Sequence, residues 1–123
     1  VDDSRNIAPE GWHVPTDDEW QILVDYLGGS SVAGGKMKET GTEHWNSPNT
    51  GATNESGFSA LPGGYRSGSS GDYYHVGNLG SYWSSTEDTS YSAWDRDLSC
   101  SSSEVYRVSR SKNYGFSVRC VRD

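Results

Sequence analysis

Between residues 84 and 117 the chain combines a polar composition with the spacing of β-strands. The acidic and serine-rich runs at 87–92 and 99–103 lack the apolar residues that a hydrophobic core requires. The same stretch carries Trp94, Leu98 and Val105 at positions that point to one side of a strand, because alternate strand residues face the same way. The segment therefore predicts strands with one face against a core and a polar face turned outward.

The two-residue period assigns the individual side chains on predicted strands at 91–99 and 104–110. We expect Trp94, Leu98 and Val105 to face the core, since neighbouring positions on a strand point to opposite faces. The positions predicted to face outward are Asp95, Asp97, Ser99, Glu104, Tyr106, Val108 and Arg110.

The outward composition favours binding over chemistry. Tyrosine supplies a large contact area at low entropic cost, and serine supplies adaptable hydrogen bonds. We expect Tyr91, Tyr106 and Tyr114 to act as anchors and Arg110 to pair with a carboxylate of the ligand. Asp95 and Asp97 are expected to select against anionic partners. The predicted ligand-binding residues are Glu87, Asp88, Tyr91, Asp95, Asp97, Ser99, Ser101, Glu104, Tyr106, Val108, Arg110, Asn113 and Tyr114.

The length and charge of the chain narrow the classes of function. Its 123 residues fit a single domain over 1–123, and its 15 glycines indicate many turns. A net charge of −7 without a Lys/Arg run argues against binding to nucleic acid or to anionic membrane surfaces. The sequence contains no apolar run of about 20 residues, so no membrane insertion is expected. Because the chain starts at Val1, we expect an upstream leader or domain.

Two helices are predicted in the first third. Thr16 has the character of an N-cap residue, and Glu19 stands at the matching position of a capping box. A helix over 17–27 follows, in which Trp20 and Val24 belong to one buried face, and the glycines at 28 and 29 end it. A second, shorter helix is predicted around 31–39.

The remainder of the chain reads as loops and strands. A long loop over 41–57 is expected to be pinned by Trp45, and the alternation over 58–66 predicts a strand that runs into a turn. Further strands are predicted near 81–85, 91–99 and 104–110, with a buried closing strand at 116–121. Trp20, Trp83 and Phe116 are the predicted core aromatics.

Four signatures in order give the chain a family resemblance. They are Gly11-Trp12-His13-Val14-Pro15-Thr16 with Glu19-Trp20, the segment Gly57-Phe58-Ser59-Ala60-Leu61-Pro62-Gly63-Gly64-Tyr65-Arg66, then Tyr82-Trp83-Ser84-Ser85-Thr86, and finally the segment from Gly115 to Asp123. Together they extend from about Asn6 to the end of the chain. The chain resembles the Fibrobacter succinogenes major paralogous domain family.

The resemblance implies an α+β, C-type-lectin-like fold, in which two helices pack on small twisted antiparallel sheets with long loops. It also implies a binding protein of the bacterial envelope, often a lipoprotein, or a secreted protein. From the residues themselves we expect it to be non-catalytic and to need no cofactor. Some relatives are variable proteins of diversity-generating retroelements, which present a varied ligand-binding surface near the C-terminus. The alternative is an ordinary lectin-like face for one fixed ligand. We expect a monomer that binds a protein or a glycan.

Calcium-dependent carbohydrate binding is a further alternative. Ser47-Pro48-Asn49 and Trp94-Asp95-Arg96 partly match the calcium-binding segments of sugar-binding C-type lectins. Oxygen-rich side chains in the same region would suit Ca²⁺, although Asx residues in such loops commonly serve turns instead. The candidate residues are Asn46, Asn49, Asn54 and Glu55.

Other chemistry has less support in the sequence. Formylglycine-generating enzymes, which have a related fold, use a closely spaced cysteine pair for catalysis. Cys100 and Cys120 are far apart along the chain, so this catalytic motif is not matched. These two cysteines form either one disulfide or two free thiols. The histidines at 13, 44 and 75 are scattered and lack partners at the spacing of a zinc site. We therefore expect neither an enzyme nor a metal site.

Overall fold

The computed structural model describes residues 6–123, so residues 1–5 of the predicted domain lie outside it. The described part confirms the α+β class, with two helices and three small antiparallel sheets. Neither helix in this part has the length and apolar character needed to cross a membrane. In chain order the elements are β1 (Trp12–His13), α1 (Asp17–Tyr26), α2 (Ser30–Met37), β2 (Tyr65–Arg66), β3 (Tyr73–Tyr74), β4 (Leu79–Thr89), β5 (Ser92–Ser99), β6 (Val105–Ser111) and β7 (Val121–Arg122).

Helix α1 begins with the predicted capping box. The Thr16 hydroxyl accepts a hydrogen bond from the Glu19 backbone N–H at 3.1 Å, and the Glu19 carboxylate accepts one from the Thr16 N–H at 3.1 Å. Both bonds satisfy donors that a helix N-terminus leaves free. The helix ends at Tyr26, where Gly28 takes a φ of 104° that favours glycine. The prediction for 17–27 is therefore confirmed to within one residue.

Helix α2 is confirmed close to its predicted range and owes its position to two glycines. A Cβ atom on Gly34 would lie 2.4 Å from the Glu104 carbonyl oxygen, and one on Gly35 would lie 2.3 Å from the Gly51 carbonyl oxygen. Glycine inside a helix costs about 1 kcal/mol relative to alanine. Here that cost is offset because the helix can seat directly against the backbone that precedes β6.

Strands β4, β5 and β6 form an antiparallel sheet in that order, at the positions where strands were predicted. Trp83 pairs with Asp95, and Asp95 pairs with Val108, so these three side chains lie on one face, called here the outer face. The opposite face, called the helix face, carries Tyr82 and packs against the helices. The core between this face and the two helices includes the following buried side chains: Trp20, Val24, Met37, Tyr82, Leu98 and Val105.

The long loop between α2 and β2 is pinned by Trp45, as predicted. The indole of Trp45 is fully buried, and its N–H donates to the Ala60 carbonyl at 2.9 Å. A second anchor was not foreseen from the sequence. Lys38 is also fully buried, and its ammonium donates to the carbonyl oxygens of Thr50, Ser99 and Ser102 at 2.8, 2.8 and 2.9 Å. One charged group thereby joins two loops.

Two predicted strands were wrong in extent. The segment 58–66 forms a strand only at β2, because Ser59 takes a φ of 55°, which a strand does not accommodate. The predicted buried strand at 116–121 is reduced to β7, and Val118 is 37% exposed. This segment changes partner along its length: Ser117 bonds to β4, whereas Val121 pairs with β1.

The hairpin and the aromatic core also differ from expectation. The acidic and serine-rich run at 87–92, expected to form the loop between two predicted strands, is mostly strand, since β4 continues to Thr89 and β5 begins at Ser92. Trp20 belongs to the main core, and Trp83 is almost fully buried on the outer face. Phe116, which was predicted to be a core residue, is half-buried outside that core.

Candidate functional site

Aromatic side chains from two distant segments cover part of the outer face. The Phe116 ring packs on the Trp83 ring with 4.4 Å between centroids. Tyr65, from β2, lies 5.8 Å from Tyr114 and 6.3 Å from Phe116 by the same measure. We call Tyr65, Trp83, Tyr114 and Phe116 the aromatic cluster. It converts a face that was predicted to be open into one that is partly enclosed.

Asp95 and Asp97 lie beneath this cover, so the prediction that they are exposed was wrong. Their exposed fractions are 0% and 5%. The two-residue period assigned their face correctly but could not indicate what lies over it. Both carboxylates bind Arg110: the distances are 3.1 Å from Arg110 Nη1 to Asp95 Oδ1 and 2.7 Å from Nη2 to Asp97 Oδ2. Their charges therefore meet this guanidinium rather than a ligand.

The two carboxyl groups compete for one neutralising charge. Asp95 Oδ2 and Asp97 Oδ1 are buried and have no hydrogen-bond partner. Burial, together with the neighbouring Asp97 carboxylate, raises the pKa of Asp95 to about 8. A proton retained on Asp95 leaves the pair with one negative charge, which Arg110 balances. The floor of the site is then close to neutral.

A hollow of about 210 Å³ opens above this floor. Its lining residues are Tyr65, His75, Leu79, Arg110, Tyr114 and Phe116. The Arg110 side chain remains 31% exposed and lies 5.5 Å from the Phe116 ring centroid. The hollow therefore combines aromatic walls with a guanidinium held in a fixed position, which is the composition of a small-ligand site.

Of the six lining residues, Arg110 and Tyr114 were predicted from the sequence to belong to the site, whereas the other four were not. Tyr65 and Phe116 belong to two of the family signatures, where they were read as structural positions. His75 carries no sequence signal for this role, because its position depends on a turn with a φ of 61°. Leu79 pairs with Ser99 and thereby reaches the outer face.

Several other predicted site residues lie along the outer face or beyond the ends of its strands. Tyr106 is 39% exposed, and its hydroxyl donates to the Ser102 hydroxyl at 3.2 Å. Ser99 and Val108 are half-buried on the same face. Ser101 and Glu104 belong to the 100–104 connection, whereas Asn113 is exposed beyond the end of β6, at the opposite end of the sheet near Tyr91.

The remaining predicted residues lie at the other end of the sheet. Tyr91 is 82% exposed at the β4–β5 turn. Asp88 accepts a hydrogen bond at 2.7 Å from Ser109, which belongs to the helix face, and Glu87 pairs with Lys112. At about 3.3 Å per residue, the seven steps of β5 separate the two ends by about 23 Å. The structure therefore does not bring the predicted residues into one compact site.

On the helix face, Trp94 differs from its predicted role in the core. It is half-buried, and the Arg107 guanidinium lies 3.5 Å from its ring centroid. Arg107 Nε and Arg96 Nη2 in turn bind the two oxygens of Asp17, at 2.8 and 2.7 Å. This charged layer ties the sheet to the first turn of α1. Leu98 and Val105 do occupy the core, as predicted.

The asparagines considered for calcium binding brace loops. Asn49 is buried and donates to the carbonyls of Glu39 and Gly41, at 2.9 and 2.7 Å. Asn54, at a φ of 51°, exchanges hydrogen bonds with Ser59, and Asn46 donates to Asn78. Among residues 6–123, no three His, Cys, Asp or Glu side chains are grouped to hold a metal ion.

The cysteines and two of the histidines have separate environments. Cys100 and Cys120 are free thiols, both half-buried. His13 lies between Asp123 and Glu19, and its hydrogen bonds to these two carboxylates raise its pKa. A hydrogen bond from the His44 ring to the Glu39 carboxylate likewise raises the pKa of His44. These histidines are parts of surface ion pairs.

Comparison with known proteins agrees with the resemblance seen in the signatures. No curated protein and no solved structure shows significant similarity to the chain. The model of the Fibrobacter succinogenes major domain matches residues 1–122. Because the match extends over nearly the whole sequence, the chain belongs to the Fibrobacter succinogenes major domain family.

Proposed function

We propose that the chain is a non-catalytic ligand-binding domain with a C-type-lectin-like fold, carried by a protein of the bacterial envelope or by a secreted one. Two helices packed against small antiparallel sheets, joined by long loops, support that fold. The ligand-binding surface is the outer face of the β4–β5–β6 sheet, together with the segment 113–116.

The observation that carries this proposal is the half-exposed Arg110 guanidinium, fixed by two buried carboxyl groups inside an aromatic hollow. A guanidinium that is already immobilised loses little conformational entropy when it binds a ligand. Tyr65 and Tyr114 present rigid aromatic surface beside it. The pairing of Arg110 with a ligand carboxylate is less favourable than expected from the sequence, because its charge is already compensated.

The variable-surface hypothesis remains part of the proposal, with a smaller set of positions. Asp95, Asp97 and Arg110 hold one another and serve as scaffold. The positions that can vary around the hollow are those that are exposed or half-buried outside this network. They are Ser99, Ser101, Glu104, Tyr106, Val108, Asn113 and Tyr114.

Display of two libraries tests the proposal. The first randomises Ser99, Tyr106, Val108, Asn113 and Tyr114, and the control library randomises the exposed α1 positions Asp18, Ile22 and Tyr26. Both should remain resistant to protease, since surface substitutions usually change stability by less than about 0.5 kcal/mol. Selection against unrelated targets should enrich binders from the first library. Enrichment equal to that of the α1 library, or loss of folded protein from the first library alone, would contradict the proposal.

A further inference from the structure

The connection between β5 and β6 is held in place by hydrogen bonds to its backbone. Cys100 donates its N–H to the Asn78 carbonyl, and the Cys100 carbonyl accepts from the Thr50 N–H, both at 2.9 Å. The Ser103 carbonyl accepts from the Gly35 N–H at 3.1 Å. These three partners lie in separate parts of the chain, so the connection is fixed on several sides.

A buried ammonium completes this set of backbone contacts. Lys38 Nζ donates to the carbonyls of Ser99 and Ser102, at 2.8 and 2.9 Å, and thereby spans the start of the connection. Its third hydrogen bond, at 2.8 Å, reaches the Thr50 carbonyl. An ammonium has three N–H donors, so all of them are used. Because the Lys38 side chain is fully buried, its removal would leave these carbonyl oxygens without a donor.

The side chains along the connection take little part in holding it. Every acceptor described above is a backbone carbonyl, which any residue supplies. The hydroxyls of Ser99 and Ser101 bond only to each other and to the Ser101 N–H. The Ser102 hydroxyl accepts from the Glu104 N–H and the Tyr106 hydroxyl, which are also local. Substitutions at Ser99 and Ser101 therefore change the surface without removing an anchor of the connection.

Two side chains of the connection are exceptions. Cys100 packs against the main core, and the Ser103 hydroxyl donates to the Ser31 carbonyl at 3.0 Å. Both belong to the scaffold. The positions that can change are an exposed one and two half-buried ones: Ser101, Ser99 and Glu104.

We propose that Lys38 is a positioning residue of the binding surface: it fixes the backbone of the 100–104 connection, while the side chains at Ser99, Ser101 and Glu104 determine specificity. The inference rests on the proposed binding function. Lys38 touches no ligand and acts through the carbonyls that it binds. A connection that is ordered before binding loses little conformational entropy when a partner docks on it.

Hydrogen exchange of the intact domain, measured for each amide by NMR, tests the fixed backbone without a ligand. The Thr50 and Gly35 amides report on the connection, because they donate to its carbonyls, and the Trp83 amide is the reference. A triple variant carries the substitutions Ser99→Thr, Ser101→Tyr and Glu104→Lys. Relative to Trp83, its Thr50 and Gly35 amides should keep their protection within about threefold of the parent.

The same amides test the role of Lys38. Lys38→Met should lower their protection at least tenfold relative to Trp83. Lys38→Gln keeps two N–H donors on a shorter side chain and should lose less. It also gives the comparison with the parent if Lys38→Met does not fold. Lys36→Met, two positions earlier in the chain, should leave the protection unchanged.

Recognition is tested with lysozyme as the target of two selected clones. The first clone comes from a library randomised at Ser99, Ser101 and Glu104. The second comes from a library randomised beyond the opposite end of the sheet, at Tyr91, Asn113 and Tyr114. Lys38→Gln should weaken lysozyme binding by the first clone at least tenfold and leave the second unchanged. A general loss of stability would weaken both.

Three results would overturn the role of Lys38: lost Thr50 protection in the triple variant, unchanged protection in the Lys38 variants, or equal loss of affinity in the two clones. Each of these leaves the proposed binding function standing, because that function requires only binders from the outer face. Failure of these two libraries and of the outer-face library to yield any binder would contradict the binding function, and the recognition role of Lys38 with it.

Discussion

Asp95 and Asp97, two positions apart on β5, bind opposite nitrogens of the same guanidinium, that of Arg110. A single cation balances one of these negative charges, and each carboxyl group keeps a buried oxygen without a partner. The net charge of the three groups is zero when the pair of carboxyl groups also holds one proton. This makes protonation of Asp95 part of the folded structure, and it makes stability depend on pH.

The first prediction is that folding stability decreases from about pH 4 to about pH 8 because of Asp95. Its folded-state pKa, raised to about 8, exceeds the ordinary value of 3.8, so within this window the folded state holds a proton that the unfolded state has released. Raising the pH then favours unfolding. Chemical denaturation at a series of pH values measures the effect, which we expect to be on the order of 1 kcal/mol or more.

Asp95→Asn should remove this pH dependence and stabilise the domain at pH 8. The amide stays neutral, and its N–H can donate to the free Asp97 oxygen. Asp72→Asn, at an exposed position, serves as the matched control and should keep the slope of the parent. An Asp95→Asn domain that is less stable than the parent at pH 8, or that keeps the slope of the parent between pH 4 and pH 8, would contradict the raised pKa of Asp95.

The second prediction concerns the buried ammonium of Lys38. Lys38→Met preserves length and apolar contacts but leaves three carbonyl oxygens without their donor. Each unsatisfied buried polar group costs about 1–3 kcal/mol, so the loss should be about 3 kcal/mol or more. Lys36→Met, two positions earlier in α2 and only half-buried, should cost less than about 0.5 kcal/mol. Similar denaturation midpoints for the two variants would mean that the ammonium does not join the loops.

The local parts of the fold could be predicted from the sequence. The capping box at Thr16 and the apolar spacing of Trp20 and Val24 act within a few residues, so they define α1 without knowledge of the rest of the chain. The same holds for the strand period that places Leu98 and Val105 in the core. These signals describe an element and its faces.

What covers a face depends on residues that are distant in sequence. Tyr65 and Phe116 lie over the outer face because β2 and the 115–117 segment bond to each other and to β4. Asp95 is consequently buried, although its charged side chain and its place in the two-residue strand period indicate a solvent-exposed position. Lys38 was missed for the same reason, since its three carbonyl partners come from later parts of the chain. They are Thr50 in the long loop, Ser99 at the end of β5 and Ser102 in the 100–104 connection.

The third prediction is that a surface histidine adds a second pH dependence at the joined ends of the domain. His13 bonds to Asp123 at 2.7 Å and to Glu19 at 2.9 Å, and these hydrogen bonds raise its pKa above 6.5. The stabilisation is fully present below pH 6.5 and is lost as the pH rises through the folded-state pKa. His13→Gln should remove this transition, as followed by melting temperature between pH 5 and pH 9.

Asp95→Asn provides the background for that measurement, because it removes the pH dependence assigned to Asp95. His44, whose pKa is also raised, contributes in the same pH range, so the contribution of His13 is the difference between the profiles with and without His13→Gln. The matched control is His44→Gln, which removes the separate Glu39 pair but leaves the joined ends intact. A His13→Gln profile identical to that of its background would contradict a stabilising role for the Asp123 and Glu19 contacts.

The last prediction separates the main core from the aromatic cluster. Trp20 is 3% exposed and packs among core residues, so Trp20→Ala should cost about 3–5 kcal/mol. Phe116 is half-buried and lies outside this core, although its ring packs on Trp83. Phe116→Ala should therefore cost less, and Phe116→Leu, which retains apolar contact, should cost less still. Denaturation midpoints rank the three variants. Equal losses for Trp20→Ala and Phe116→Ala would show that the cluster is a second core, and the hollow it lines would then be a by-product of packing.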